Sequence, residues 1–348
     1  MTESSIEISV HAGRYHTTVG LEDRRSETVF QSVDKQAGLL SFAVIKKIKA
    51  YLGADDLQVR MKPKLRIVAL LTVRNEALYL ARCLRHLHEQ GIETCVIDNE
   101  STDDSRKIAE QFIGHGVIRI ETQPFEGYFD LVGQLSLKEK LCKEIEADWF
   151  IHHDADEIRE APLPFKTLYE GILKADQEGY NAINFDEFVF LPTADDESFE
   201  EADYVETMRY YYFFEPVKLR RVNAWKKTDQ TFDLVSSGGH IANFEGRKIY
   251  PENFILRHYV ALSRAHAIAK YGRERVYSSE EMETRGWHRA RANANIEAIR
   301  FPSPDELHQV SDGQWNKSFP RKQHSIFNAI KAGTATLSSE SEITSTLK

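Results

Sequence analysis

The run Ile67-Val68-Ala69-Leu70-Leu71 constrains the fold more than any other stretch of the chain. Five consecutive apolar residues suit a strand covered on both faces, and sheets covered on both faces are built from parallel strands crossed by helices. The residues that follow keep to this plan. Ala77, Leu80, Ala81, Leu84 and Leu87 form one helical stripe that stops near Gly91. Thr94–Ile97 predicts a second strand, and Ser101-Thr102-Asp103-Asp104 predicts a capping box for a second helix with Ile108, Ala109 and Phe112 turned inward. Val117–Ile120 predicts a third strand. Leu131, Leu135, Leu141 and Ile145 mark a third helix, and Trp149–His152 a fourth strand. Such alternation predicts a parallel sheet with right-handed crossovers, whose ligands sit outside the carboxyl ends of the strands.

Three polar groups fall at those ends: Arg74-Asn75-Glu76, Asp98-Asn99-Glu100 and His152-His153-Asp154-Ala155-Asp156-Glu157. An Asp-x-Asp at the end of a buried strand holds two oxygen ligands rigidly. Such ligands suit Mg²⁺ or Mn²⁺, which complete their shells with waters and substrate phosphates. The plainer reading of Asp154-x-Asp156 is an acidic turn or a helix cap. An exposed ligand on a strand end is replaceable at little cost in stability, so Asp156→Ala is expected to fold normally. No GxGxxG follows the first strand and no GxxxxGK[ST] occurs, which argues against an ordinary dinucleotide fold and a P-loop enzyme.

Val73-Arg74-Asn75-Glu76, then Asp98-Asn99-Glu100-Ser101-Thr102-Asp103, then Asp154-Ala155-Asp156-Glu157 resembles the family 2-like glycosyltransferases of GT-A fold. The likeness covers roughly residues 64–190, with weaker echoes to about 330. It implies an α/β GT-A fold, a mostly parallel sheet flanked by helices, with a helical C-terminal extension. It also implies transfer of a sugar from a nucleotide diphosphate donor to a saccharide or other hydroxyl acceptor, with Mn²⁺ or Mg²⁺ on the diphosphate. Carried over residue by residue, Arg74, Asn75 and Glu76 would line the nucleotide pocket. Asp98, with Asn99 beside it, would bind base or ribose. Asp154 would contact ribose or reach the metal through water, and Asp156 would bind the metal directly. The family's later histidine near the metal is matched by His258, whose alternative is a hydrogen-bonded core histidine. Family members generally invert the anomeric carbon and use a carboxylate base.

The chemistry of the transfer asks for cations on the leaving diphosphate, and Arg220, Arg221 and Arg257 are candidates beside the metal. It also asks for a base at the acceptor hydroxyl. Asn184-Phe185-Asp186-Glu187-Phe188 lies in a predicted strand, Ala182–Leu191, whose alternation sets Asp186 and Phe188 on one face and Phe185 and Glu187 on the other. A carboxylate in so aromatic a strand needs a partner or a task, which makes Asp186 the first candidate base and Glu187 the second. The family's usual downstream acid pair has no clear counterpart. Ser236-Ser237-Gly238-Gly239-His240 gives backbone freedom for close approach to a ligand, with His240 able to reach diphosphate or acceptor; a turn with an incidental histidine fits equally.

Two other classes compete. His152-His153-Asp154-Ala155-Asp156-Glu157 faintly resembles the His-Pro-Asp-Asp-Glu of zinc-dependent sugar deacetylases, with His240 and His258 to complete a zinc site. A noncatalytic sugar-nucleotide-binding protein would keep the donor site and lack the base. The formal charge of −9 argues against nucleic acid as a partner. Cys83, Cys95 and Cys142 are too few for a disulfide framework. Met1–Val10 is polar and acidic, and no apolar run approaches the ~20 residues of a membrane span, so the expected location is cytoplasmic. Phe42, Ile45, Ile48 and Leu52 with intervening lysines predict a basic amphipathic helix, read as packed on the main domain, with peripheral membrane contact left open. The expected organisation is an extension over 1–62, the transferase domain over 63–262, a helical acceptor-side region over 263–333 and a tail over 334–348.

Overall fold

The computed structural model describes residues 7–9, 18–20, 64–215, 221–292, 299–311, 313–324 and 326. The expected helix over Ser41–Leu52, Arg220 and the tail over 334–348 lie outside these residues. The chain divides into two compact units, Met1–Lys64 and Leu65–Lys348. In the first, β1 (Glu7–Ser9) pairs antiparallel with β2 (Thr18–Gly20).

The second unit opens with the expected alternation: β3 (Ile67–Val73), α1 (Ala77–Glu89), β4 (Glu93–Asp98), α2 (Ser105–Gln111), β5 (Val117–Thr122), α3 (Leu131–Glu144) and β6 (Trp149–Asp154). β3 lies parallel between β4 and β6, with β5 outside β4. The apolar run of β3 is buried on both faces. Ile67, Ala69, Leu71 and Val73 pack with Leu80, Leu84 and Leu87 of α1, while Val68 and Leu70 pack with Leu135 and Leu141 of α3. Each such side chain contributes up to roughly 1.5–3 kcal/mol, which is why a short strand with helices on both sides forms here.

The chain continues through β7 (Glu157–Glu160), α4 (Leu168–Gln177), β8 (Ala182–Phe190), α5 (Tyr204–Thr207), β9 (Tyr210–Phe214) and β10 (Val222–Lys226). After the short pair β11 (Phe232–Asp233) and β12 (Asn243–Phe244) comes β13 (Phe254–Tyr259). β10 inserts antiparallel between β6 and β8, and β13 adds parallel to β8 while carrying β7 antiparallel on its other side. The sheet is therefore parallel over its first four strands and mixed beyond. α6 (Arg264–Ile268) runs into a π-helical turn over Ala269–Glu274, followed by α7 (Ser279–Thr284) and α8 (Arg289–Ala292). From 299 onward Pro302, Pro304 and Pro320 keep the described chain largely extended, and β14 (His308–Gln309) pairs with β9. Among the described residues no helix is long and apolar enough to cross a membrane.

One local expectation is corrected. Ser101–Asp104 does not form a capping box on its own helix, since Asp104, at the N-cap of α2, makes no side-chain cap bond. Asp103 serves both helices, its Oδ1 accepting from Ser105 N at the start of α2 (2.9 Å). Asp103 Oδ2 accepts from Ala77 N (3.0 Å), and Ser105 Oγ accepts from Glu76 N (2.8 Å). The free N–H groups at the start of α1 are satisfied by residues that follow β4, so the β3 and β4 ends are fixed to one another.

Candidate active site

The carboxyl ends of β3 and β6 open into a cavity of about 730 Å³ whose far wall comes from residues 269–291 and 322–324. Strand β6 delivers its side chains alternately. His152 faces the cavity, while the buried His153 turns away and accepts at Nδ1 from Arg159 Nε (3.1 Å). Past the strand end, Asp154, Ala155, Asp156 and Glu157 all line the cavity.

Asp156 is buried rather than exposed, with 7% of its surface accessible. Its Oδ2 accepts from Lys270 Nζ (3.1 Å) and lies 3.7 Å from His258 Nε2. Burial pushes this carboxyl up, but the Lys270 ammonium and His258 beside it prevail and hold it well below the usual carboxylate range. Lys270 also donates to Glu76 Oε2 (2.9 Å), and Arg275 lies 3.5 Å from Glu76 Oε1. Burial opposes the Lys270 charge, yet Asp156 and Glu76 lift it above an ordinary lysine. His258 Nδ1–H donates to Glu187 Oε1 (2.6 Å), and Arg221 Nε donates to Glu187 Oε2 (2.7 Å). Burial disfavours charge on His258, but Asp156 and Glu187 raise it to about 10.

Of the residues singled out from the sequence, Arg74, Asn75, Glu76, Asp154, Asp156, His240 and His258 come together on this cavity. Arg74 donates to the carbonyls of Asn99 and Glu100, both at 2.6 Å, and its guanidinium covers the Phe125 ring at 3.3 Å. Asn75 adopts the left-handed conformation (φ 54°), and its Oδ1 accepts from Thr102 N (2.8 Å). His240 hydrogen-bonds Arg221 through Nδ1.

Asp98 and Asn99 do not line the cavity. Asp98 is buried and accepts from Ser101 N (3.0 Å) with Arg106 at 3.4 Å; Asn99 Nδ2 donates to the carbonyls of Gln123 (3.1 Å) and Pro124 (2.9 Å). Both shape the loop under Arg74. Asp186 points to the opposite face of β8 from Glu187, where it pairs with Lys317 and accepts from Asn253 Nδ2 (3.0 Å). Glu187 faces the site but stands behind His258 and Arg221, both of which line the cavity. Arg257 is also off the cavity, held by Glu160 (3.2 Å) and the Val205 carbonyl (2.7 Å). Lys138, Lys270, Glu274 and Arg275 line the site and were not singled out in the sequence. Lys138, Lys270 and Glu274 sit in helical stretches, with Arg275 just past the turn, where a charged residue ordinarily marks the solvated face.

The donor set suits a hard divalent cation. Asp156 supplies oxygen, and His258, held at Nδ1 by Glu187, turns Nε2 toward Asp156 and would ligate through it once an arriving cation displaces the Nε2 proton. Asp154 follows, with 55% of its side chain exposed to the cavity. A second grouping, Glu187, His258 and His324, has its ligand atoms within 4.8 Å of one another, but Arg221 already holds the other Glu187 oxygen. The histidines of the zinc reading diverge: His153 faces the core and His240 faces Arg221.

Residues 69–158 match the family model described as glycosyl transferase family 2. An uncharacterized glycosyltransferase of Rickettsia felis is 41% identical over 92 residues, which is 26% of this chain and 29% of that protein. The lipopolysaccharide core biosynthesis glycosyltransferase LpsC of Rhizobium meliloti is 31% identical over 119 residues, 34% of this chain and 41% of that protein. The chain thus spans less than half the length of these relatives. Among solved structures, S. aureus TarS 1-349 aligns over 56% of this chain and 60% of its own at 11% identity, with a TM-score of 0.35. The mannosyltransferase PcManGT of Pyrobaculum calidifontis, in complex with GDP-Man and Mn²⁺, aligns over 40% and 41% at 17% identity and 0.28.

Proposed function

We propose that this family 2-like glycosyltransferase chain moves a sugar from a nucleotide diphosphate donor to an acceptor hydroxyl in the cavity at the β3 and β6 ends. The observation that carries the reading is the buried Asp156, flanked by His258 and Lys270 where the sheet opens. A divalent cation, Mn²⁺ or Mg²⁺, would be held by Asp156 and His258 with Asp154 near, and would supply neutralisation of the diphosphate when bound. The chain's own part is separable from that. Lys270 and Arg275 bring fixed positive charge to the same end of the cavity, where negative charge grows as the glycosidic bond to phosphate breaks. Arg74 and Phe125 offer a flat surface for the base of the donor.

Direct displacement inverts the anomeric carbon and needs a proton acceptor on the far side of the sugar. Among the described residues the cavity carboxylates without a Lys or Arg partner are Asp154 and Glu274. Asp154 stands beside the metal ligand, so Glu274, exposed at the end of the π-helical turn, is assigned the base. Glu187 is a positioning residue: it fixes His258, and its two ion-pair partners hold it too acidic to take a proton near neutral pH.

Donor turnover tests the reading. The wild type should hydrolyse a nucleotide sugar slowly in Mn²⁺ without acceptor. Loss of all turnover with every donor, in protein that binds zinc, would favour the hydrolase instead.

A further inference from the structure

Lys138 of α3 is the exception among the buried cations of the site. Lys270 has Glu76 and Asp156, Arg221 has Glu187 at 2.7 Å, and Arg159 has Glu157 at 2.6 Å. Lys138 is only 1% exposed and lines the cavity, yet no carboxylate of the described residues lies within ion-pair distance of it. Its Nζ meets a neutral imidazole nitrogen, His152 Nδ1, at 3.1 Å and the His153 carbonyl at a long 3.4 Å. A buried ammonium with so little compensation is costly unless another anion arrives. Burial pulls it down to about 8, with Asp154 and Glu157 opposing from a distance.

Lys138, His152 and Leu135 line the cavity together. Gly239 (φ +81°) packs directly on two of them, since a Cβ there would stand 3.0 Å from both His152 Cε1 and Leu135 Cδ2. Lys138 shares no carboxylate with Lys270 and Arg275, which flank the Asp156 end where the diphosphate is placed.

We infer that Lys138 is a specificity-determining residue that binds a carboxylate on the transferred sugar, so that the donor is a nucleotide hexuronate rather than a neutral hexose. This rests on the transferase reading and on placing the diphosphate beside Asp156. The ammonium supplies a charge-assisted hydrogen bond that a hydroxymethyl group cannot replace. His152 Nε2–H, directed by the Lys138 bond to Nδ1, adds a neutral donor on the same stretch of cavity wall.

The test is calorimetric. UDP, GDP, dTDP and CDP are titrated with Mn²⁺ to find the nucleotide that binds, and then its glucose, glucuronate and galacturonate esters are compared. At least one hexuronate ester should bind about tenfold tighter than the glucose ester, the scale of one charge-assisted bond. In Lys138→Met the advantage should vanish while the nucleoside diphosphate alone binds as in wild type. Thermal unfolding of ligand-free Lys138→Met should show no loss of stability, because the substitution removes a buried unpaired charge. Equal affinity for glucose and uronate esters would overturn the inference. So would an equal loss for the bare nucleoside diphosphate, which would make Lys138 a diphosphate contact. Binding of no nucleotide at all would instead remove the transferase reading on which it rests.

Discussion

Replacing Asp156 with alanine tests the geometry of the site before any substrate is known. The sequence alone marks this residue as an exposed ligand that could be lost cheaply. In the structure it is buried between Lys270 at 3.1 Å and His258 at 3.7 Å, and its removal strands positive charge. Breaking a buried ion pair from one side costs about 3–5 kcal/mol. Lys270 retains Glu76 at 2.9 Å and His258 retains Glu187 at 2.6 Å, which places the cost near the lower bound, about 3 kcal/mol. For a unit of this size, at roughly 2 °C per kcal/mol, the unfolding temperature should fall by about 6 °C. Scanning calorimetry in EDTA at pH 7 measures this without a contribution from metal. The double variant Asp156→Ala/Lys270→Met should recover more than half of the loss, since the stranded ammonium is gone. Because Asp156 is held below the usual carboxylate range, its contribution is present above pH ~3.8 and lost as pH falls through its folded value. A fall of less than about 1 °C for the single variant would refute the buried pairing.

Other expectations follow from the same geometry. Glu274→Gln should lower kcat for transfer by about 10²–10⁴-fold with little change in donor affinity, measured by steady-state kinetics and nucleotide titration; an unchanged kcat would remove Glu274 as base. His258 sits near 10 in the folded state against roughly 6.5 unfolded, so its stabilisation is complete below pH ~6.5 and disappears as pH rises through about 10. Urea unfolding of metal-free wild type and His258→Asn should therefore differ most at pH 6 and converge above pH 10. Gly239→Ala combines a left-handed backbone with crowding against His152 and Leu135, and should cost roughly 1–3 kcal/mol in urea unfolding.

Much of this fold is written in local patterns. The β3 run reads as a doubly covered strand because both helices that cover it carry simple apolar stripes, and the polar groups after β3 and β6 line the cavity while Asp98-Asn99 after β4 does not. What escapes local reading is whatever depends on a distant partner. Ser101–Asp104 has the residue types of a capping box, but Asp103 divides its oxygens between Ser105 N of the next helix and Ala77 N, 26 residues earlier. Alternation separates Asp186 from Glu187 correctly, yet only the placement of β10 and β13 decides which face meets Arg221 and His258. Lys138 and Lys270 look like solvated helical lysines, since nothing near them in sequence reveals that α3 and the π-helical turn aim them into a cavity.

The measurement that bears most directly on the central proposal is thermal unfolding with UDP-, GDP-, dTDP- and CDP-sugars, each with and without Mn²⁺, in wild type and His258→Gln. A ligand at about 100 times its dissociation constant adds roughly 2.7 kcal/mol, enough to raise the unfolding temperature by several degrees. The account predicts a rise with one nucleotide that depends on Mn²⁺ and shrinks in His258→Gln. No rise with any nucleotide, in either metal condition, would contradict it.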